Sequence, residues 1–389
     1  MTGLTPTLFP ALGQFGDIKM VEKTPIVEIC STYPLSALRE ITIPSGSATC
    51  TTLAGERLLQ TTASGGDAYT LNTAERGRYQ PGFSAECGIG VRIPVAPVGN
   101  QLAKWGYSDG VNGLYFAVDS TGPYVARVSN SAQTIVRQTD WNSDKLDGTG
   151  PSGLTLALDR GNIFQIVFSW YGYGVIEFQV VKVDSLGRQK IVVVHRMNVF
   201  GSSSIQEPNL PVMTAISNGG TATAFAMYVG GRQFSIVGKH LPNSRTSAAR
   251  NFLVANVGTT LRPLVSVRQK PAYYTIPARV QGVDCIATAD CQLVVMLNSV
   301  LTTPSWGSLP DHLDVETAMQ QDTASTSLSG GSALFSSLIG VSGSGNRAGG
   351  VQTQGLSVGI PEGQIVTLAV RALTGTATVS ALLRMEEDW

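Results

Sequence analysis

Residues 139–170 read TDWNSDKLDGTGPSGLTLALDRGNIFQIVFSW, and they decide the fold class. The first half is turn-forming: Asp, Asn, Gly, Pro and Ser crowd together. The second half alternates. Phe164, Ile166, Phe168 and Trp170 fall on one side of a pleat. Ile163 and Val167 on the other side are apolar too, which predicts a strand buried on both faces. An ordered loop feeding a central strand is the grammar of a β-sandwich.

The same two-residue period recurs outward from that stretch. From Phe83 to Ile93, Ala85, Cys87, Ile89, Val91 and Ile93 alternate with Ser84, Glu86, Gly88, Gly90 and Arg92, a half-buried strand. Tyr124–Val128 and Thr134–Gln138 read as a hairpin turning at Ser129-Asn130-Ser131. Strands Val175–Val183 and Lys190–His195 follow the central one as a meander. Thr221–Tyr228 and Arg232–Val237 read as a closing pair. Beyond them, Thr260–Gln269, Gln281–Val283, Gln292–Leu297, Ile365–Val370 and Ala377–Leu383 predict more strands. One short helix is expected, His312–Gln321, with Asp311 as its cap.

At 389 residues, two domains are the default. We expect an extended arm at 1–30, a first β-sandwich at 31–237, a linker at 238–250 and a smaller β-domain at 251–389. The Ser/Gly/Thr-rich run 323–350 carries Leu334, Phe335, Leu338 and Ile339, so it is expected to pack at an interface rather than stay loose.

Composition excludes several classes. Charged residues are 14% and the formal net charge is zero. No basic footprint for nucleic acid is present, and no polybasic handle for a membrane surface. No apolar run approaches a membrane span, and MTGLTPTLFPALGQFG lacks the pattern of a secretory signal. A surface so poor in charge predicts burial against further copies. Five irregularly spaced cysteines (Cys30, Cys50, Cys87, Cys285 and Cys291) read as free buried thiols in a reducing compartment.

Motifs for chemistry fail one by one. Gly106-Tyr-Ser108-Asp-Gly110 and Gly355-Leu-Ser357-Val-Gly359 match the nucleophile-elbow spacing but are followed by strands, not helices. Histidines 195, 240 and 312 have no fixed serine partner. Asp140, Asn142, Asp144 and Asp147 are spaced like oxygen ligands for calcium. Lys145 and Pro151 break the EF-hand pattern, and an Asx-turn loop is the preferred reading. Glu177 and Asp184 could not be set opposite each other for glycoside hydrolysis. Trp105, Tyr107, Trp141, Tyr171 and Tyr173 flank glycines and are read as aromatics at loop tips. They suit subunit packing first and a glycan or partner contact second. No cofactor or metal is implied.

Short motifs across most of the chain resemble a family of tailed-phage virion structural proteins. They are Phe15-Gly16-Asp17-Ile18, Glu22-Lys23-Thr24-Pro25, Arg78-Tyr79-Gln80-Pro81-Gly82 and Gly106-Tyr107-x-Asp109-x-x-Asn112-Gly113-Leu114. The likeness is strongest at Trp141-Asn142-x-Asp144-x-Leu146-Asp147-Gly148, Pro151-Ser152-Gly153 and Phe164-Gln165-Ile166 leading to Trp170-x-Gly172-x-Gly174. His195, Asn209-Leu210-Pro211-Val212 and Glu386-Glu387 fit as well. Tyr171 stands where the pattern has Leu, and Met385 where it has Trp. The resemblance implies an all-β chain: a jelly-roll, lectin-like sandwich, a second β-domain and assembly on a particle. It brings no catalytic residues. It implies a virion component assembled in the host cytoplasm: a capsid decoration, collar, fibre or tail protein. A homo-oligomer is expected, a trimer favoured, docked on other virion proteins. The alternative is a virion-borne module that binds a host-surface glycan.

Overall fold

The computed structural model describes residues 23–169, 173–183, 187–199, 206–238, 244–340 and 349–388. Trp170, Tyr171, Asp184, His240 and most of the arm lie outside them. Among the described residues every regular element is a strand or a single 3-10 turn. The chain is all-β and divides into two compact units, Met1–Leu241 and Pro242–Trp389.

The first unit is a jelly-roll-like sandwich. Its strands are β1 (Lys23–Ile29), β2 (Glu40–Ser45), β3 (Thr49–Leu53), β4 (Glu56–Gln60), β5 (Ala68–Arg76), β6 (Ser84–Arg92), β7 (Leu102–Ser108), β8 (Gly113–Asp119), β9 (Gly122–Ser129), β10 (Ala132–Arg137), β11 (Asn162–Ser169), β12 (Ile176–Val183), β13 (Gln189–Met197), β14 (Pro211–Ser217) and β15 (Ala226–Val237). An eight-stranded sheet runs β13-β12-β11-β6-β15-β4-β3, with β1 added on β15. A seven-stranded sheet runs β10-β9-β8-β7-β14-β5-β2.

Aromatic rings join the two sheets. Trp105 meets Phe164 edge-on at 4.9 Å, and Phe116 meets Phe178 at 5.3 Å. Tyr107 stacks on Phe234 at 4.7 Å. Each such pair adds about 0.5–1.5 kcal/mol to the burial of its rings. Charge is buried in the same layer. Arg57 Nη2 reaches Glu40 Oε2 at 2.7 Å, and Arg232 Nη2 bonds Glu40 Oε1, with all three side chains at most 2% exposed. No local pattern announced this triad, because its members lie 17 and 192 residues apart.

Several expectations are corrected. Ile163 is 43% exposed, so β11 is not buried on both faces along its whole length. It pairs with Gly90, which brings no side chain to cover it. Thr221–Tyr228 and Arg232–Val237 are not a hairpin. Ala226–Tyr228 of the first segment and all of the second belong to β15, and Gly230-Gly231 form a bulge where the register against β6 shifts. Part of the arm, Lys23–Ile29, is β1, paired with β15. His312–Gln321 is not a helix: it holds a 3-10 turn at Asp314–Glu316 and strand Met319–Asp322. The expected linker 238–250 contains the start of a long strand, Ser244–Val257. Cys30 is exposed, while Cys87, Cys285 and Cys291 are buried, and all five thiols are free. The hairpin β9–β10 turns through Asn130 and Ser131, with φ of 49° and 65°, the left-handed pair a two-residue turn needs.

The second unit is a smaller sandwich. One sheet orders Ser244–Val257, Ala377–Asp388, Ala278–Ala287 and Gly349–Gly359. The other centres on Arg262–Gln269, Val366–Ala372 and Cys291–Leu297, with Ser332–Ile339 at its edge. Ala377–Asp388 alternates buried and half-buried along its full length. Its inward residues Val379, Leu383 and Met385 join Leu293 and Val295 in one core.

Candidate functional site

The outward face of the eight-stranded sheet carries a groove of about 630 Å³. Its walls include Glu28, Arg39, Ile163, Gln165 and Gln233, and Gly88, Gly90 and Gly231 line it too. The register explains why. Gln179, Gln165, Gly88, Gln233 and Glu28 lie side by side on β12, β11, β6, β15 and β1. The next row sets Ile163 against Gly90, where the β15 bulge brings Gly230 in. A Cβ on Gly90 would meet only the Gly230 and Gly231 backbone, 3.6 Å from Gly230 Cα, so the trough is bare at Gly90, while the Gln233 side chain lies across Gly88.

One rim is a shared carboxylate. Glu86 receives Lys23 Nζ at 2.8 and 2.9 Å, Gln165 Nε2 at 3.1 Å and Gln233 Nε2 at 2.9 Å. Ser235 Oγ donates to Gln233 Oε1 at 2.6 Å, which fixes that amide. Gln165 Oε1 is buried with no hydrogen-bond partner. On the other side of the glycines, Arg92 lies 3.6 Å over the Tyr228 ring and pairs with Glu56 at 2.6 Å. That pairing raises the Arg92 pKa. At the mouth, Cys30 Sγ lies 3.1 Å from Thr32 Oγ1, and hydrogen bonding with Thr32 lowers its thiol pKa.

Hydrolysis is poorly served here. Glu86 and Glu177 share a row with Val167 between them, roughly 10 Å apart by two strand spacings. Glu86 holds Lys23, and Glu177 holds Arg196 at 2.8 Å. Both carboxylates are engaged in ion pairs rather than facing an open gap.

The sequence-predicted site residues scatter. Trp105, Tyr107 and Trp141 are not at loop tips: each is at most 3% exposed and belongs to the core. Gly106 suggested a turn, but it sits within β7, where a Cβ would come within 2.5 Å of Leu114 O and Tyr115 Cα. Tyr107 Oη donates to Pro208 O at 2.6 Å and accepts from Leu210 N–H at 3.0 Å. Trp141 Nε1 donates to Val136 O at 3.3 Å. Tyr173 is 63% exposed; Tyr171 lies outside the described residues.

The acidic loop is bound to backbone instead of converging. Asp144 accepts Leu146 N–H at 2.9 Å and Ser152 N–H at 2.7 Å. Asp147 accepts the N–H and hydroxyl of Thr149 at 2.9 and 2.6 Å. Asn142 exchanges two 2.8 Å bonds with the Arg196 backbone, and Asp140 is exposed in the 3-10 turn Gln138–Asp140. Among the described residues no group of three His, Cys, Asp or Glu gathers as a metal site. Ser108 is fully buried and donates to Asn112 O at 2.8 Å, a turn rather than a nucleophile.

No protein-family model matches the chain, and no curated protein sequence does. Solved structures do share features of its fold. An endo-1,3-beta-glucanase from Streptomyces sioyaensis is 9% identical, covering 56% of this chain and 96% of its own, with a TM-score of 0.37. A protein assigned as a beta-glucanase from Mycobacterium abscessus is 8% identical over 54% of this chain and 99% of its own, at 0.39. The carbohydrate recognition domain of Emp47p is 12% identical over 56% of this chain and 95% of its own, at 0.30. Likenesses of this size say nothing about what this chain binds or does.

Proposed function

We propose that the chain is a non-catalytic structural and binding component of a tailed-phage virion, whose first unit holds a neutral, extended glycan of the host surface in the glycine-floored groove. The observation that carries the binding reading is the tethering of Glu86. With Lys23, Gln165 and Gln233 on it, the rim is charge-compensated. Its Gln165 and Gln233 amides line the groove without a free acid or base. A bare glycine floor admits the apolar face of a sugar ring.

The virion setting is supported by the motif resemblance and by the 14% charged composition. Homo-oligomer assembly is supported by exposed apolar side chains near sheet edges, Leu253 at 77% and Leu338 at 65%. A glycan microarray tests the binding. The intact chain should retain neutral oligosaccharides without releasing products, and Gly90→Trp, which fills the trough, should lose them. Retention unchanged in Gly90→Trp would refute the groove. Mass spectrometry of purified particles tests the setting; absence of the chain from them would refute it. A monomer in light scattering would refute self-assembly.

A further inference from the structure

The second unit has an unguarded sheet edge. Strand Ser332–Ile339 ends the six-stranded sheet and pairs on one side only, with Cys291–Leu297. No other backbone hydrogen bond reaches it among the described residues. Alternate N–H and C=O groups of such a strand point away from the sheet, ready to pair with another strand. A bulge at Leu334 sets Leu334 and Phe335 against the core, and Ile339 is buried, so the strand is held in place. Ser332, Ala333, Ser336 and Leu338 are exposed.

Proteins protect free edges with charge, proline, bulges, short strands or a covering loop. Several other edges of this chain use these devices. The acidic loop covers β13: Asn142 bonds the Arg196 backbone twice, and Ser143 and Asp144 N–H groups donate to Val194 O. β2 carries Glu40 and Pro44. Strand Ser244–Val257 carries Arg245 and Arg250, is bulged, and donates its Ala248 and Arg250 N–H groups to the His312 and Gln321 side chains. The far edge of the same six-stranded sheet is only Trp306–Gly307. Strand Ser332–Ile339 has neither charge nor proline. The depletion extends beyond it: between Asp322 and Glu362 the sole charged residue is Arg347. That span contains Gly349–Gly359, the edge strand of the facing four-stranded sheet, which lies against Ser332–Ile339. Two successive sheet edges on one side of the unit thus contain no charged residue.

We infer that this side contacts a second copy of the chain, with Ser332–Ile339 pairing antiparallel to the same strand of its partner about a two-fold axis. The inference rests on the self-assembly reading above and names its surface. A two-fold axis brings each residue near it up to its own copy, so a charge there meets a like charge. An edge without charge is what that geometry demands, and it gives a charged partner nothing to pair with. The pairing joins two six-stranded sheets into one. An axis perpendicular to the sheets sets Gly349–Gly359 beside its own copy as well. Such an interface is isologous, so the assembly has an even number of copies.

Light scattering of the intact chain over a concentration series tests this, together with hydrogen exchange of its amides. The parent should form dimers or a larger even-numbered assembly, and the Ser332–Ile339 amides should gain protection as concentration rises. Leu338→Lys and Ala333→Lys each put a charge at an exposed position of the edge, and each should raise the dissociation constant roughly tenfold or more. Leu253→Lys, at an exposed position of strand Ser244–Val257, should leave it unchanged. Exchange in the parent serves as the test if an edge variant fails to fold. Three results would overturn this surface and leave self-assembly standing: a trimer, edge amides whose protection does not change with concentration, or edge variants that assemble no worse than Leu253→Lys. A parent that stays monomeric at every concentration would overturn self-assembly and this surface together.

Discussion

The two outward faces of the first unit differ in how they treat charge. On the eight-stranded sheet, Glu86 is surrounded by donors from three strands. On the seven-stranded sheet, Lys104 sits among tyrosines and alanines with no anion bound to it among the described residues. The first face satisfies itself and presents neutral amides around a glycine trough. The second leaves one part-buried ammonium against a tyrosine ring.

The largest expected effect lies in the layer both faces share. Glu40→Ala removes the only carboxylate among the side-chain partners that Arg57 and Arg232 show. Breaking a buried pair from one side costs about 3–5 kcal/mol. Urea unfolding should show that loss, and glycan binding should fall with it. A variant of parental stability would mean the triad does not underpin the sandwich.

A smaller effect separates the faces. Glu86→Ala leaves Lys23, Gln165 and Gln233 without their common acceptor and should cost about 1–3 kcal/mol. Lys104→Met should cost nothing, and should stabilise at neutral pH, because it removes a partly desolvated ammonium. The depressed Lys104 pKa means the unfolded chain binds more protons between that value and 10.5, so the penalty is relieved as pH rises through this window. Equal destabilisation by both substitutions, read in urea titrations, would erase the distinction.

The smallest effect is at the end of the meander. Burial depresses the His195 pKa below 6.5, and Nδ1 accepts the Asn142 N–H at 3.3 Å. The neutral form is favoured in the fold. Between the depressed value and 6.5 the unfolded chain binds more protons, so stability falls as pH drops through that window. His195→Gln should flatten this acid limb in thermal melts from pH 7 to pH 5, with no change in glycan binding.

Much of this fold is legible in the chain. The alternation from Ala85 to Ile93 placed both the core and the outward row of β6 that became the groove floor. The meander β11–β12–β13 was equally plain. Glycine misled at one point. Gly106 looked like a turn and exiled Trp105 and Tyr107 to loop tips, though Ala103, Trp105 and Tyr107 keep a strand's period. The closing pair expected at Thr221–Tyr228 and Arg232–Val237 is one strand, β15, with Gly230-Gly231 as a bulge inside it. The predicted helix failed because Met319–Asp322 finds a partner strand in Arg262–Gln269. The site was illegible for another reason. The groups on Glu86 come from 63, 79 and 147 residues away, and no local spacing encodes that convergence. The opposite face hid in the alternate positions of strands whose inward residues drew the attention.

The contrast between the faces is tested most directly by parallel titrations. A neutral oligosaccharide retained on the array is titrated into the parent chain, Gly90→Trp and Lys104→Met. The account predicts that Gly90→Trp loses the ligand and Lys104→Met keeps it. Binding kept in Gly90→Trp, or lost in Lys104→Met, would contradict it.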